Sequence, residues 1–117
     1  MSWNLFIDDE RVPADVTWAS ARHEHLLRTE QWTIARNYDQ VMQLVAARGM
    51  PSRISFDHDL GHNERTGYQI AQRLCDMDID DEQKFPADFE FYAHSMNPIG
   101  KMNIMRYLTR YMEFARG

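Results

Sequence analysis

The chain has 117 residues, a length typical of a single domain. Its 13 Lys and Arg residues face 18 Asp and Glu residues, a formal net charge of −5 that excludes binding of duplex DNA through a generally basic surface. Ten of the 18 acids lie in three short segments, at positions 8–10, 57–59 and 76–82. Outside these segments 13 basic residues face 8 acidic ones, so the acidity is local and the rest of the chain is mildly basic.

Hydrophobic residues make up 44% of the chain, which is enough for a globular core and too many for a disordered chain. No apolar run approaches about 18 residues, so no membrane span is predicted. The first residues lack the basic and apolar regions of a signal peptide, and the single cysteine, Cys75, cannot form a disulfide within the chain. These features predict a cytoplasmic protein, of a size found in bacteria and phages.

Four short β-prone segments alternate with helical patterns. The predicted strands cover residues 3–7, 32–36, 53–56 and 89–93. Helices are predicted to begin at Asp39, at Thr66 and at Asn97, where Pro98 occupies the first turn. Segment 14–31 is predicted to be a loop with a short helix, because its apolar periodicity is poor.

The alternation of strands and helices favours an α/β fold with a parallel sheet. The apolar residues of the strands are nearly continuous, which is typical of strands that are buried on both faces. We therefore predict one domain over residues 1–117, a three-layer sandwich whose mostly parallel sheet of about four strands carries helices on both faces.

Ligands of open parallel sheets bind at the carboxyl ends of the strands. Three of the four predicted strands end in polar clusters, which are Asp8, Asp9 and Arg11, then Asp57, His58 and Asp59, and finally His94, Ser95 and Asn97. If these three strands are neighbours in the sheet, the clusters converge on one pocket.

Such a pocket suits a phosphate ester and a metal ion. Closely spaced carboxylates repel each other and require a cation or a proton, and their oxygens favour hard cations such as Mg²⁺ or Mn²⁺. Arg11 offers a planar fork of donors for phosphate, and Ser95 and Asn97 add polar contacts beside helix amides. His94 has the side chain of a general acid or base, and Gly100 would let the backbone approach a ligand closely.

These blocks resemble a divergent branch of the response-regulator receiver domains, the cyclic-phosphate-processing receiver-like domains. The resemblance extends over nearly the whole chain and is carried by Asp8-Asp9-Glu10-Arg11, Phe56-Asp57-His58-Asp59-Leu60-Gly61 and His94-Ser95-Met96-Asn97-Pro98. It implies a flavodoxin-like fold in which Asp8 and Asp9 bind the metal and Asp57 corresponds to the phospho-acceptor of receivers. Ordinary receivers also carry a lysine at the end of a fifth strand, whereas this sequence predicts no fifth strand and Lys101 lies at a helix start.

The favoured hypothesis is a divalent-metal-dependent phosphoesterase for cyclic phosphates, whose substrate is a nucleotide or a 2′,3′-cyclic phosphate at an RNA end. The predicted ligands of Mg²⁺ or Mn²⁺ are Asp8, Asp9, Asp57 and Asp59, and the predicted phosphate contacts are Arg11, Ser95 and Asn97. The predicted catalytic residues are Asp57, His58 and His94, of which Asp57 is either a metal ligand or a nucleophile. The alternatives are a phospho-acceptor signalling module and a catalytically silent interaction domain, and the oligomeric state is left open.

The remaining polar groups are interpreted as structural. His23 and His25 form a His-x-His pair without the further ligands of a zinc site, so we expect both on the surface. The acidic segment 76–82 lacks the Gly and Glu that a calcium loop needs at its sixth and twelfth positions, so we expect a solvated loop. Cys75 is expected in the core.

Overall fold

Four parallel strands lie at the centre of the structure, a computed structural model that describes residues 2–117. They are β1 (Asn4–Ile7), β2 (Thr33–Ala35), β3 (Arg53–Phe56) and β4 (Glu90–Ala93), paired in the order β2-β1-β3-β4. The helices are α1 (Ala21–Thr29), α2 (Tyr38–Arg48), α3 (Gly67–Ile79) and α4 (Pro98–Arg116), and a 3₁₀ turn covers Pro13–Asp15. The predicted fold class is confirmed as a flavodoxin-like receiver fold, and β1, β3 and β4 are neighbours as the site prediction requires.

Both faces of the sheet are covered, because side chains alternate along each strand. Leu5 and Ile7 of β1 join the main core, which contains the buried residues of α2, α3 and α4. Phe6 lies between them, points to the opposite face and packs against Val16 and Leu27, so α1 covers that side. This division follows from right-handed crossovers, since α1 leads from β1 to β2 while α2 and α3 lead in the other direction across the sheet.

The element boundaries follow local capping signals. The Thr66 hydroxyl accepts from the amide of Gln69 in a capping box, and the Asn97 side chain accepts from the amide of Gly100, so both predicted starts are confirmed. The predicted start of α2 at Asp39 is wrong, because Asn37 is the residue whose side chain accepts from the Gln40 amide.

The short helix predicted within segment 14–31 is α1, which the Ser20 side chain caps. Strand β3 has its predicted bounds, and the other three strands are one residue shorter at one or both ends. Within residues 2–117, no helix combines the length and the apolar character that crossing a membrane would require.

Cys75 is buried as predicted, and burial raises the pKa of its thiol to about 12. The acidic segment 76–82 departs from its prediction at one residue, because Asp78 is buried. Its carboxylate accepts hydrogen bonds from the Tyr111 hydroxyl and from the Phe85 amide at 2.9 Å, and the Lys84 ammonium lies 3.6 Å away. Burial alone would raise the pKa of Asp78, but these contacts lower it below its ordinary value. Asp78 therefore ties the end of α3 to α4 and to the loop before β4.

We predict that Asp78→Asn lowers the free energy of unfolding by about 1.5–3 kcal/mol at neutral pH, because hydrogen bonds to a charged acceptor are replaced by neutral ones. A lowered carboxyl pKa stabilises the fold above the ordinary pKa, and this contribution is lost as the pH falls through the lowered value. The difference in the free energy of unfolding between the wild type and the variant should therefore become smaller at acid pH. Urea unfolding at several pH values measures it, with exposed Asp76→Asn as the control, and a difference that stays constant down to acid pH contradicts this role.

Candidate functional site

A polar cleft of about 250 Å³ lies at the carboxyl edge of the sheet, where β1, β3 and β4 end. Its lining residues are Asp8, Asp9, Glu10, Arg11, Asp57, Asp59, Ser95, Met96 and Asn97. The structure thus brings seven of the nine predicted site residues to one cleft and leaves the other two, His58 and His94, outside its lining.

Asp8 is the most heavily hydrogen-bonded group of the site. Its carboxylate is fully buried, and Oδ1 accepts from the amides of Glu10 and Arg11 at 2.9 and 2.8 Å. Oδ2 lies 3.0 Å from Nε2 of His94 and 3.5 Å from Nη1 of Arg11. Burial favours the protonated acid, but the hydrogen bonds from His94, Arg11 and Glu10 outweigh it and lower the pKa of Asp8 to about 2. Asp8 is therefore a carboxylate at neutral pH.

Asp57 has the opposite electrostatic environment. It is buried at the end of β3, and its Oδ1 accepts from the amide of His58 at 2.9 Å. Burial and the nearby charge of Asp8 raise the pKa of Asp57. A divalent cation between the two carboxylates would offset both the cost of burying the Asp57 charge and its repulsion by Asp8.

The donor set fits a hard divalent cation. Asp8, Asp57 and His94 each bring a ligand atom into a group whose members lie within 4.8 Å of one another. Nε2 of His94 already lies at hydrogen-bond distance from Asp8, so the available donors are carboxylate oxygens, to which Asp9 adds one more at the cleft wall. Oxygen ligands of this kind suit Mg²⁺ or Mn²⁺.

Asp59 and Asn97 join the loop after β3 to the start of α4. The Asp59 side chain is 68% exposed, and its two oxygens lie 2.9 Å from Nδ1 of His58 and 3.3 Å from Nδ2 of Asn97. The hydrogen bond from His58 lowers the pKa of Asp59. A Cβ at Gly100 would lie 2.3 Å from the His58 ring, so this glycine admits the histidine ring and not a ligand, contrary to expectation.

His94 belongs to a buried chain of hydrogen bonds that the sequence did not predict. The chain runs from His23 Nε2 to Ser55 Oγ at 2.9 Å, from Ser55 Oγ to His94 Nδ1 at 2.7 Å, and from His94 Nε2 to Asp8 Oδ2 at 3.0 Å. All four residues are at most 3% exposed, so the predicted surface position of His23 is wrong. Burial, followed by the charges of His94 and Lys101, lowers the pKa of His23 to about 4, so this ring is neutral at physiological pH.

This chain of hydrogen bonds has a direction when His94 is neutral. Asp8 is ionised and only accepts, so Nε2 of His94 carries the proton and Nδ1 accepts from the Ser55 hydroxyl. The Ser55 oxygen then accepts from Nε2–H of His23. Every donor points toward Asp8, which fixes the orientation of its carboxylate.

Arg11 is held over the cleft by Trp18, which lies outside the three motifs, and by Met96 of the third motif. Its guanidinium carbon lies 5.0 Å from the Trp18 ring centroid, and Nη2 lies 3.4 Å from the Met96 sulfur. Trp18 in turn donates from Nε1 to the carbonyl of His94 at 2.7 Å. Arg36 donates to the carbonyls of Asp8 and Arg11 at 3.1 and 2.8 Å, which fixes the loop after β1. No spacing signal in the sequence marks Trp18 or Arg36.

Solved structures resemble this chain at low sequence identity. A chain described as a yeast Spc42 trimeric coiled coil fused to another structure is 18% identical with a TM-score of 0.52, over 97% of this chain and 78% of that one. The N-terminal domain of a response regulator/sensory box/GGDEF 3-domain protein from Carboxydothermus hydrogenoformans is 16% identical with a TM-score of 0.48, over 98% of this chain and 97% of that one. Curated protein sequences give no significant match.

The sequence profile of one family, described as the cyclic-phosphate processing receiver domain, matches residues 3–110. This span contains the four strands and every residue that lines the cleft. The chain therefore belongs to the family of cyclic-phosphate processing receiver domains.

Proposed function

We propose that the protein is a divalent-metal-dependent phosphoesterase that hydrolyses cyclic phosphates. The observation that supports this most directly is the cleft itself, where four aspartates and Arg11 meet at the carboxyl ends of three adjacent strands. The carboxylates provide ligands for a cation, and the guanidinium beside them provides hydrogen-bond donors for a phosphate. The reaction adds water to phosphorus and breaks one ester P–O bond, and the released oxygen takes a proton.

In this proposal Asp8, Asp9 and Asp57 hold Mg²⁺ or Mn²⁺. A bound ion of this kind would neutralise charge on the phosphate oxygens and activate water. Asp59, the fourth predicted ligand, stands at the rim, where both of its oxygens are hydrogen-bonded to His58 and Asn97. We assign Asp59 the role of fixing the loop after β3.

The phosphate contacts are Arg11 and Ser95. The Ser95 oxygen accepts from the amide of Asn97 at 3.1 Å, which leaves its hydroxyl proton to donate into the cleft. Asn97 caps α4 through its side-chain oxygen and contacts Asp59 through its side-chain nitrogen, so its role is to position these neighbours.

His94 is assigned a positioning role in place of proton transfer to the substrate. Its side chain is fully buried, and both ring nitrogens are occupied by Ser55 and Asp8. His58 pairs through Nδ1 with Asp59 and lies outside the cleft lining. Proton transfer in the cleft is therefore assigned to its carboxylates and to water.

A second candidate function is a phospho-acceptor module in which Asp57 is the nucleophile. The receiver fold and the position of Asp57 at the end of β3 favour it. Against it, the described residues 2–117 contain four strands and so no fifth strand to carry the receiver lysine.

We predict that Asp57→Asn lowers the rate of 2′,3′-cyclic nucleotide hydrolysis at least ~100-fold in the presence of Mg²⁺ or Mn²⁺, because the variant loses a charged ligand of the ion. Chelation of the metal should have the same effect, and exposed Asp76→Asn serves as the matched control. Equal rates for the wild type and Asp57→Asn would exclude the phosphoesterase. Stable phosphorylation of Asp57 by acetyl phosphate without hydrolysis, seen by intact mass, would instead establish the signalling module.

Arg11→Ala should raise KM for the cyclic nucleotide by roughly 10- to 150-fold, the range that corresponds to about 1.5–3 kcal/mol for a hydrogen bond to a charged group. Steady-state kinetics measure the change. Arg22→Ala, which removes an exposed arginine that pairs with Glu90, should leave KM unchanged. A similar KM in all three proteins rules out phosphate binding by Arg11.

Ser55→Ala should weaken Mn²⁺ binding about 10- to 100-fold, because Asp8 loses the chain of hydrogen bonds that orients its carboxylate. The two buried histidine nitrogens that lose their partner should also lower the free energy of unfolding by roughly 1–3 kcal/mol. Titration calorimetry on the folded protein separates the two effects, with half-buried Ser52→Ala as the control. Reduced stability with unchanged metal affinity would limit the His23–Ser55–His94 hydrogen bonds to a structural role.

A further inference from the structure

A second groove, of about 550 Å³, lies between α3 and α4 and outside the polar cleft. Its α4 residues include Asn103, Arg106, Tyr107, Arg110 and Phe114. Their spacing of three and four residues places them in one stripe along the helix. From Asn103 to Phe114 the stripe extends about 16 Å, at a rise of about 1.5 Å per residue.

Both helices that border the groove begin at loops of the proposed active site. Tyr68, its contribution from α3, follows Gly67, whose amide donates to the carbonyl of His58 at 2.8 Å. Asn103 lies in the second turn of α4, and the cap of this helix, Asn97, lines the cleft. A long ligand whose end enters the cleft can therefore continue along α4.

The stripe is positively charged, unlike the chain as a whole. Arg106 and Arg110 are exposed, and among residues 2–117 no carboxylate lies within 4.0 Å of either guanidinium. Helix α4 carries four basic residues and one acidic residue, although the net charge of the chain is −5. Two copies of this surface would repel each other, so its charge favours a polyanion over a second copy of the chain.

The stripe also presents aromatic rings beside its arginines. Tyr68 and Tyr107 pack edge to face with centroids 5.6 Å apart, and Phe114 is 78% exposed. Arginines that track a phosphate backbone, interleaved with rings on which bases stack, are the means by which proteins hold single strands. An acidic peptide would use the charges but has no planar bases for the rings.

We propose that the α3–α4 groove binds single-stranded RNA whose 3′ end enters the cleft. The identification of this strand as a substrate, and as RNA in place of DNA, rests on the proposed function. Only RNA has the 2′-hydroxyl from which a 2′,3′-cyclic phosphate forms. The binding of the strand rests on the groove alone. RNA binding here is local and single-stranded, so it is consistent with the absence of a generally basic surface.

The test is fluorescence anisotropy of a labelled 12-nucleotide RNA with a 3′-hydroxyl, measured in EDTA at several salt concentrations. The protein carries Asp57→Asn, so that binding is read without turnover. Loss of both arginines in Arg106→Ala/Arg110→Ala should reduce the slope of log Kd against log salt by about 1.4, since each phosphate contact in a single strand contributes about 0.7. The matched control Arg22→Ala/Arg48→Ala removes two exposed arginines elsewhere and should keep the slope.

Phe114→Ala should weaken binding roughly 5- to 150-fold, the range measured for loss of one stacked base, while exposed Ile79→Ala should not. Binding of polyglutamate with the same dependence on Arg106 and Arg110 would overturn the assignment to RNA, as would a dimer that these substitutions dissociate. Equal RNA affinity of all variants would also overturn it.

Hydrolysis separates this inference from the proposed function. In a protein with native Asp57, Arg106→Ala/Arg110→Ala should leave the hydrolysis of a small 2′,3′-cyclic nucleotide unchanged and lower kcat/KM for a cyclic-phosphate RNA end. If the small substrate is not hydrolysed by the wild type, the proposed function fails, whereas the binding assay still decides whether the groove holds RNA.

Discussion

The buried carboxylate of Asp8 is the group on which the rest of the site depends. An ionised acid without exposed surface is stable only when its oxygens are satisfied, and here two amides, a histidine and an arginine satisfy them. These partners come from the loop after β1 and from the end of β4, so satisfying one charge brings two distant segments together. The same charge raises the pKa of Asp57 and creates the need for a cation between them.

The loop after β3 is positioned by packing against two helix starts. A Cβ at Gly67 would lie 1.9 Å from the carbonyl oxygen of Asp57, and one at Gly100 would overlap the His58 ring. Both glycines are needed for their small volume, since neither has a positive φ angle. The loop that carries Asp57 and Asp59 is therefore held on one side by α3 and on the other by α4, which keeps Asp57 in place despite the nearby charge of Asp8.

Much of the fold followed from patterns within single segments. Apolar strands, the Thr66 and Asn97 caps and the strand-end clusters were all visible in the sequence, because each depends on neighbours a few residues apart. The start of α2 was misplaced because Asn37 and Asp39 are both good capping residues and only the backbone geometry selects Asn37. The position of Asp78, four residues after buried Leu74, did place it on the apolar face of α3, but its acidic neighbours obscured that signal.

The supporting residues of the site could not be found in this way. His23 is buried because Ser55, 32 residues away, offers it a partner, and no local pattern records such a pairing. Trp18 likewise acquires its role only when the loop before α1 meets the end of β4. The motif residues thus indicated where the cleft lies, while long-range contacts determine which of them face it. His94, which belongs to a motif, is directed into the interior by the same contacts.

The two faces of the sheet are held together by different kinds of contact. The face covered by α2, α3 and α4 is hydrocarbon, whereas the face beneath α1 adds to its smaller apolar cluster the Ser55 hydroxyl and two imidazoles, one stacked on Phe6 and one on Tyr92. Exposure of apolar surface raises the heat capacity on unfolding by about 0.45 cal/mol/K per Å², while exposure of polar surface lowers it by about 0.26. Cooling weakens hydrophobic contacts and has less effect on hydrogen bonds, so the support of Asp8 persists at low temperature better than the opposite core.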